Sequence, residues 1–164
     1  MTSDTDVLID YLDGQREHVL GILEGLSDEQ LRARVLPSGW NALGLVQHLA
    51  LDVEHYWVQC IVNGEALDAL KKIDLDGSGF WNVAPEATGE EIFALYRREW
   101  QKSNDILRET SFDAPPAQRD QWWGDWKVPD VRFIVLHMIA ETACHAGHLD
   151  ATRELTDGRQ WMVL

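Results

Sequence analysis

The segment HMIAETACHAGHLD, residues 137–150, has the pattern of a helix that faces a protein core, yet it carries three histidines and a glutamate. An imidazole or a carboxylate that faces a core is costly unless a partner or a ligand satisfies it. At about 100° per residue, His137, His145 and His148 all fall within about 40° of Glu141 around the helix axis. The four side chains therefore form one narrow polar stripe.

A second stripe of the same kind lies on NALGLVQHLALDVEHYW, residues 41–57. His48, Asp52 and His55 are spaced i, i+4, i+7, which places them on one face of an α-helix. Inward polar stripes on two helices are the arrangement that holds metal ions in the cores of helical bundles. The two stripes together therefore indicate a metal site.

The spacing allows more than one ligand set. Glu141 and His145, one helical turn apart, can reach a single divalent ion, since such ions bind imidazole nitrogen and carboxylate oxygen at about 2 Å. A third ligand has to come from another helix, and His48 is the first candidate; three protein ligands leave one position open for water or substrate. His137 with Glu141, or His145 with His148, has equally suitable spacing. The remaining alternative is that the stripes hydrogen-bond one another and hold no metal.

Four segments show helical periodicity, and no segment alternates at the period of two that strands require. The segments run from Asp4 to Leu26, from Asn41 to about Asn63-Gly64, from Thr88 through Leu107, and from about Asp130 to Leu155. A short capped turn is expected at Ser27–Leu31, and the stretch DLDGSGFWNVAPEATGEE is expected to be a long connection. Since two connections are long enough to cross a bundle, we predict an all-α, four-helix bundle that forms a single domain over residues 1–164.

Composition narrows the function classes. The chain has 164 residues, of which 45% are hydrophobic and 26% are charged, as expected for one globular domain. Its net charge of −14 argues against binding to nucleic acid or to an anionic membrane surface, because both require basic patches. The sequence shows neither a membrane-spanning apolar run nor a signal peptide, so we expect a cytoplasmic protein.

Three of the eight tryptophans cluster in a stretch with loop character. Trp122, Trp123 and Trp126 lie within SFDAPPAQRDQWWGDWKVP, residues 111–129. Most tryptophans belong to protein cores, but a loop cluster of three can also form the wall of a pocket. We therefore expect this loop to contribute to a binding site.

Four stretches resemble the DinB-like superfamily, specifically its small actinobacterial branch, which is related to the metal-binding domain of mycothiol-dependent maleylpyruvate isomerases. They are LEGLSDEQL, PSGWNALGLVQHLA leading to VEHYW, YRREW, and HMIAETACHAGHLDATRELTDG, and together they span nearly the whole chain. The resemblance implies a four-helix bundle that holds one divalent metal ion through His48, Glu141 and His145. With these ligands, we expect His148, His55 and Asp52 beside the metal or the substrate, and Trp123 of the tryptophan loop in the same substrate-binding or supporting group.

The resemblance also implies a chemistry. It suggests a metal-dependent thiol S-transferase or isomerase that acts on a small electrophile, with zinc as the first choice of metal and nickel, iron or manganese as alternatives. The thiol would be a low-molecular-weight compound such as mycothiol, and relatives pair as homodimers through helix faces. The isomerases carry a C-terminal domain that helps to form their substrate site, whereas this sequence ends at Leu164, so the resemblance does not imply the isomerase reaction itself. A metal-dependent hydrolase, or a metal-containing binding or stress protein without turnover, are the alternatives.

Overall fold

A computed structural model describes residues 3–71 and 80–161, and within these ranges every regular element is helical. The elements are α1 (Asp4–Leu23), α2 (Asp28–Arg32), α3 (Ala42–His48), a π-helical segment (Leu49–Val62), α4 (Leu67–Lys71), α5 (Gly89–Glu109), a 3₁₀ turn (Gln121–Trp123) and α6 (Val131–Asp157). The all-α fold class is confirmed. Residues 74–79 of the predicted connection DLDGSGFWNVAPEATGEE lie outside the described residues.

The predicted helix boundaries follow from side-chain caps. The hydroxyl of Ser27 accepts a hydrogen bond from the backbone N–H of Gln30, and Thr88 caps α5 in the same way. Asn41 caps α3 by accepting a hydrogen bond from the N–H of Gly44. At the far end of the chain, Gly158 ends α6 in the left-handed region at a φ of 79°, where a Cβ would be strained.

The four long helices are arranged as a ring in which α1 packs on α6 and α5, and the helix made of α3 and the π segment packs on the same two neighbours. Helices α1 and α6 run in the same direction, because His18 meets Asp150 and, one turn later, Arg153 donates to the carbonyl of Ile22. The α3–π helix runs the other way against α6. Its first part, at His48, lies beside residues 141–145, and its later part meets residue 137.

A buried ion pair connects the two helices that lie diagonally opposite each other. Arg16 of α1 makes two bonds to Glu54 of the π segment, at 2.6 Å and 2.5 Å, and both side chains are fully buried. Asn104 of α5 accepts a third hydrogen bond from the same guanidinium. Burial alone would lower the pKa of Arg16, but the charge of Glu54 outweighs it and raises that pKa. Arg16 therefore keeps its positive charge although it is buried, and its bonds to Glu54 and Asn104 connect three helices.

The first long connection returns the chain to the beginning of α3. There the segment Phe80–Asn82 lies directly on the helix: a Cβ on Gly44 would stand 2.2 Å from the carbonyl oxygen of Trp81. Gln47 donates hydrogen bonds to the carbonyls of Phe80 and Asn82. These contacts hold Phe80 at a φ of 63°, a conformation that is costly for an aromatic residue. The segment is thus fixed tightly at the end of the bundle that carries His48.

The second long connection links α5 to α6 at one end of the bundle, where Val131 and Arg132 donate to the carbonyls of Ala114 and Phe112. Between these points the loop passes over the π segment, and Gln118 donates to the carbonyl of Cys60. The tryptophan cluster is thereby placed on the outer side of the π segment. Within residues 3–71 and 80–161, no helix combines the length and the apolar character that a membrane span requires.

The winding of the second long helix changes after His48, and this corrects one prediction. In the π segment the hydrogen bonds reach five residues back, as from Asn63 N–H to the Val58 carbonyl, so each turn contains more residues than in an α-helix. Residues seven apart then no longer face the same way. The predicted shared face is therefore wrong for His55, which turns towards α5 and lies 3.1 Å from Glu99.

Candidate metal centre

Three side chains from two antiparallel helices meet near one end of the bundle. His48 is the last residue of α3, while Glu141 and His145 are one turn apart on α6. Glu141 Oε1 lies 3.2 Å from His145 Nε2 and 3.9 Å from His48 Nε2, and the three potential ligand atoms all lie within 4.8 Å of one another. Within the described residues, no other group of three or more His, Cys, Asp or Glu side chains has this spacing.

The residues fit a divalent cation. Two ligand atoms that each lie about 2 Å from a tetrahedral ion are separated by about 3.3 Å. The distance from Glu141 Oε1 to His145 Nε2 is 3.2 Å, and the distance from Glu141 Oε1 to His48 Nε2 is longer, at 3.9 Å. Two imidazoles and one carboxylate are also a ligand set that zinc, nickel, iron and manganese accept. All three side chains are partly exposed, so a fourth ligand can approach. The chemistry and the spacing of the donors therefore support a metal site with an open position.

The outer ring nitrogens of both histidines are also in contact with polar partners. Asp52 Oδ2 lies 2.8 Å from His48 Nδ1, which leaves Nε2 of that ring directed at Glu141. His148 Nδ1 lies 3.4 Å from His145 Nδ1. A carboxylate on the outer nitrogen fixes the tautomer and orientation of a ligand histidine. Asp52 is thus placed to orient His48 rather than to bind the ion itself.

Trp81 packs against both histidines. Its ring stacks on His48 at 4.4 Å between centroids and meets His145 edge-on at 5.8 Å. This contact depends on the close approach of Phe80–Asn82 to Gly44, and it was not predicted from the sequence. Gly44 and Gln47 of α3 were the sequence features that could have indicated this contact. Their spacing, however, does not identify the segment that packs against them.

Burial and nearby charges favour the neutral form of two histidines, His145 and His137. Burial lowers the pKa of His145, and the neighbouring His48 lowers it further, although the nearby Glu141 carboxylate opposes both effects. Burial likewise lowers the pKa of His137. A metal ion binds the neutral imidazole, so these environments prepare the rings for ligation or for accepting a proton.

A cavity of about 320 Å³ opens beside the ligands; we call it the acidic cavity. It is lined by His48, Asp52, Val53, Tyr56, Trp57, Trp122, His137 and Glu141. Among the described residues, its lining contains two carboxylates and no lysine or arginine. His137, one helical turn before Glu141 on α6, is therefore part of the cavity wall.

The tryptophan loop contributes to this wall, although not through the residue that was expected. Trp123 is 5% exposed and stacks on Trp57, so it supports the wall from behind. Trp122 is 67% exposed and lines the cavity. Both indole N–H groups donate to the hydroxyl of Tyr56, which in turn lies 3.3 Å from Asp120. Sequence reasoning missed Tyr56, although its i, i+4 spacing from Asp52 places the two residues on one face of a helix.

Among the other candidates, the structure separates His55 from the three ligand residues. His55 contacts Glu99 on α5, to which Gln59 also donates a hydrogen bond. Burial would raise the pKa of Glu99, but the bonds from His55 and Gln59 outweigh it and lower that pKa to about 2. His148 remains beside the site, but on the outer edge of His145 and next to Trp40.

The fold and the site together define a DinB-like, all-α bundle with a His–Glu–His set suited to a divalent metal. The family model described as mycothiol S-transferase matches residues 7–158. Because this match covers nearly the whole chain, the protein belongs to that family. Searches of curated proteins and of solved structures give no significant match.

Proposed function

We propose that the protein is a metal-dependent S-transferase that joins a low-molecular-weight thiol, of which mycothiol is the first candidate, to a small electrophile. The observation that carries this proposal is the meeting of His48, Glu141 and His145 at the mouth of a walled cavity. Membership of the mycothiol S-transferase family supports the choice of thiol. A divalent cation, when bound, lowers the pKa of a thiol and so favours the thiolate nucleophile.

The chain's own residues have separate tasks in this proposal. His48, Glu141 and His145 hold the cation, and Asp52 keeps the His48 ring in the required orientation through its 2.8 Å contact. His137, kept neutral by its lowered pKa, accepts the thiol proton from within the cavity. The reaction forms one carbon–sulfur bond at the electrophile, breaks the bond to its leaving group, and releases one proton.

The acidic cavity is the proposed electrophile site. Tyr56, Trp57 and Trp122 supply a flat aromatic wall, and the carboxylates of Asp52 and Glu141 repel anions. Uncharged electrophiles with an aromatic ring or a short apolar chain fit this lining best.

The test is thiol consumption with 4-nitrobenzyl chloride as the electrophile and mycothiol as the thiol. We expect saturable, enzyme-dependent formation of the thioether and chloride by the zinc-, nickel- or manganese-loaded protein, and loss of this activity in His48→Ala. The matched control is His18→Ala, which removes a histidine that also pairs with a carboxylate but lies away from the site. Enzyme-dependent formation of 4-nitrobenzyl alcohol without thiol would instead identify a hydrolase and overturn the proposal.

A further inference from the structure

One residue of the acidic cavity, Trp122, differs from the rest of the lining in its exposure. Trp122 is 67% exposed, whereas the other seven described lining residues are buried or half-buried. Val53 and Trp57 are only 2% and 5% exposed, so they lie at the floor of the cavity. Trp122 therefore lies at the outer rim, where the position of its indole determines how wide the cavity is.

The indole of Trp122 is held by a single hydrogen bond. Its N–H donates to the hydroxyl of Tyr56 at 3.0 Å, and its side chain has no other polar contact in 3–71 or 80–161. Trp123 stacks on Trp57 at 5.3 Å between centroids, but Trp122 makes no ring contact of this kind within the described ranges. The orientation of the Trp122 ring therefore depends on the Tyr56 hydroxyl.

The hydroxyl of Tyr56 is fully occupied by protein groups. It accepts hydrogen bonds from the indole N–H groups of Trp122 and Trp123, and it donates to Asp120 Oδ2 at 3.3 Å. Both acceptor positions and the hydrogen are thus used. Burial, and then the charge of Asp120, raise the pKa of Tyr56, so the hydroxyl stays protonated at neutral pH. Tyr56 is therefore a positioning residue for the Trp122 indole rather than a catalytic one.

The loop that carries Trp122 is anchored by contacts that do not involve its indole. Trp123 is buried against Trp57, and the guanidinium of Arg119 lies 6.0 Å from the centre of the Trp123 ring. Arg119 also donates to the carbonyl of Trp126 at 3.0 Å. A change at Trp122 therefore alters one wall of the acidic cavity while the loop keeps its place.

We propose that Trp122, held by Tyr56, sets the upper size limit of the electrophile. This inference rests on the proposed function, in which the electrophile occupies the acidic cavity. Small-molecule sites have volumes of about 300 to 1,000 Å³, so a cavity of about 320 Å³ lies at the lower end of that range. It accommodates one six-membered ring with its reactive carbon directed at the metal centre, and a second fused ring meets the Trp122 indole. The substrate class is therefore electrophiles with a single ring.

Binding of unreactive analogues tests this limit without turnover. Isothermal titration of the zinc-loaded protein compares 4-nitrobenzyl alcohol with 4-nitro-1-naphthalenemethanol, two uncharged alcohols that differ by one fused ring. An unrestricted site would favour the second alcohol, because it buries more apolar surface. We expect the parent to bind the one-ring alcohol at least about tenfold more tightly.

Two variants are expected to gain affinity for the wider ligand. Trp122→Ala removes the wall and Tyr56→Phe releases it, so in both we expect the affinity for the two-ring alcohol to rise at least about tenfold. A loss of structure would lower affinity rather than raise it, so the gain is specific to the wall. Because Trp122 is largely exposed, Trp122→Ala also tests the limit without disturbing the core.

The matched controls remove the same chemical groups away from the cavity. Trp161→Ala deletes an exposed indole, Tyr11→Phe deletes an exposed phenolic hydroxyl, and neither residue lines the cavity. Both controls are expected to keep the preference of the parent. An unchanged preference in Trp122→Ala, or an equal gain in a control, overturns the size limit. An unchanged preference in Tyr56→Phe overturns the positioning role of Tyr56.

Turnover distinguishes the failure of this inference from the failure of the proposed function. Thioether formation from 4-nitrobenzyl chloride, together with equal binding of both alcohols by the parent, would keep the proposed function and overturn the size limit. Discrimination between the alcohols without any thioether formation would support the size limit of the cavity and overturn the proposed function.

Discussion

Asp52 and Asp150 make the same kind of contact in different places. Each carboxylate lies 2.8 Å from a histidine ring nitrogen, Asp52 on His48 at the metal centre and Asp150 on His18 between α6 and α1. Replacing Asp52 by Asn removes the charge that orients a ligand ring, so we expect metal affinity to fall about 10- to 100-fold. Competition with a chromophoric chelator measures this change. Asp150→Asn is the matched control, and an equal loss there would contradict the orienting role of Asp52.

The buried pair Arg16–Glu54 gives a second prediction for single residues. Removing Arg16 leaves a fully buried carboxylate without its cation, and we expect Arg16→Ala to lower the free energy of unfolding by about 3–5 kcal/mol. The exposed pair of Arg132 with Asp113 provides the comparison, and Arg132→Ala is expected to cost no more than about 1 kcal/mol. Urea unfolding measures both variants. Similar losses would mean that the buried pair does not hold the helices in register.

For individual residues, spacing alone gives His48, Glu141 and His145 only as one of several possible ligand sets. Spacing on α6 permits Glu141 with His145, but also His137 with Glu141 and His145 with His148. The choice depends on which of these faces His48, and that depends on how two helices cross. The pairing of Arg16 with Glu54 was not predicted, because 38 residues separate them and no local pattern connects them.

At the scale of elements, the π segment explains one error. It turns His55 away towards Glu99, whereas an α-helix would keep His55 on the face of His48 and Asp52. The sequence NALGLVQHLALDVEHYW predicts the helix correctly, since its N-cap and its apolar residues do not depend on the winding. The change from α to π winding after His48 has no such local signal.

The contact between α3 and the segment Phe80–Asn82 yields a prediction for these elements. In Gly44→Ala the new Cβ meets the Trp81 carbonyl at 2.2 Å, so the segment has to move away. We expect a loss of stability of about 1–3 kcal/mol and weaker metal binding, because Trp81 no longer packs on His48. Gly14→Ala is the control: nothing lies within 4 Å of the added methyl, and the change in α1 should be neutral or stabilising by up to about 1 kcal/mol. Thermal melts and chelator competition distinguish the two variants.

At the scale of the whole molecule, acid stability depends partly on one buried carboxylate. The pKa of Glu99 falls from a usual value of 4.5 to about 2 in the folded protein. Its ionised form therefore stabilises the fold above pH 4.5, and this contribution disappears as the pH falls from 4.5 towards 2. The difference corresponds to about 3 kcal/mol. In Glu99→Gln we expect a flatter decline of stability over that interval, measured by urea unfolding at several pH values; an unchanged slope would contradict it.

The bundle itself was predictable from the sequence, since four amphipathic segments with recognisable caps at Asn41 and Thr88 leave few other ways to bury their apolar faces. The positions of Trp81 and Trp122 around the metal centre were not predictable from the sequence. Trp81 and Trp122 come from two different loops, and a loop has no sequence periodicity that indicates where it packs. A homodimer remains a prediction, and sedimentation of the full chain tests it.

The most direct test of this account is the metal content of tag-free protein, determined by plasma mass spectrometry after loading with zinc, nickel or manganese and removal of excess metal. We expect close to one ion per chain in the parent and in the control His18→Ala, and less than a tenth of that in His48→Ala and His145→Ala. Absence of metal from the parent after every loading, or its retention in both ligand variants, would contradict the assignment of His48, Glu141 and His145 as a metal centre.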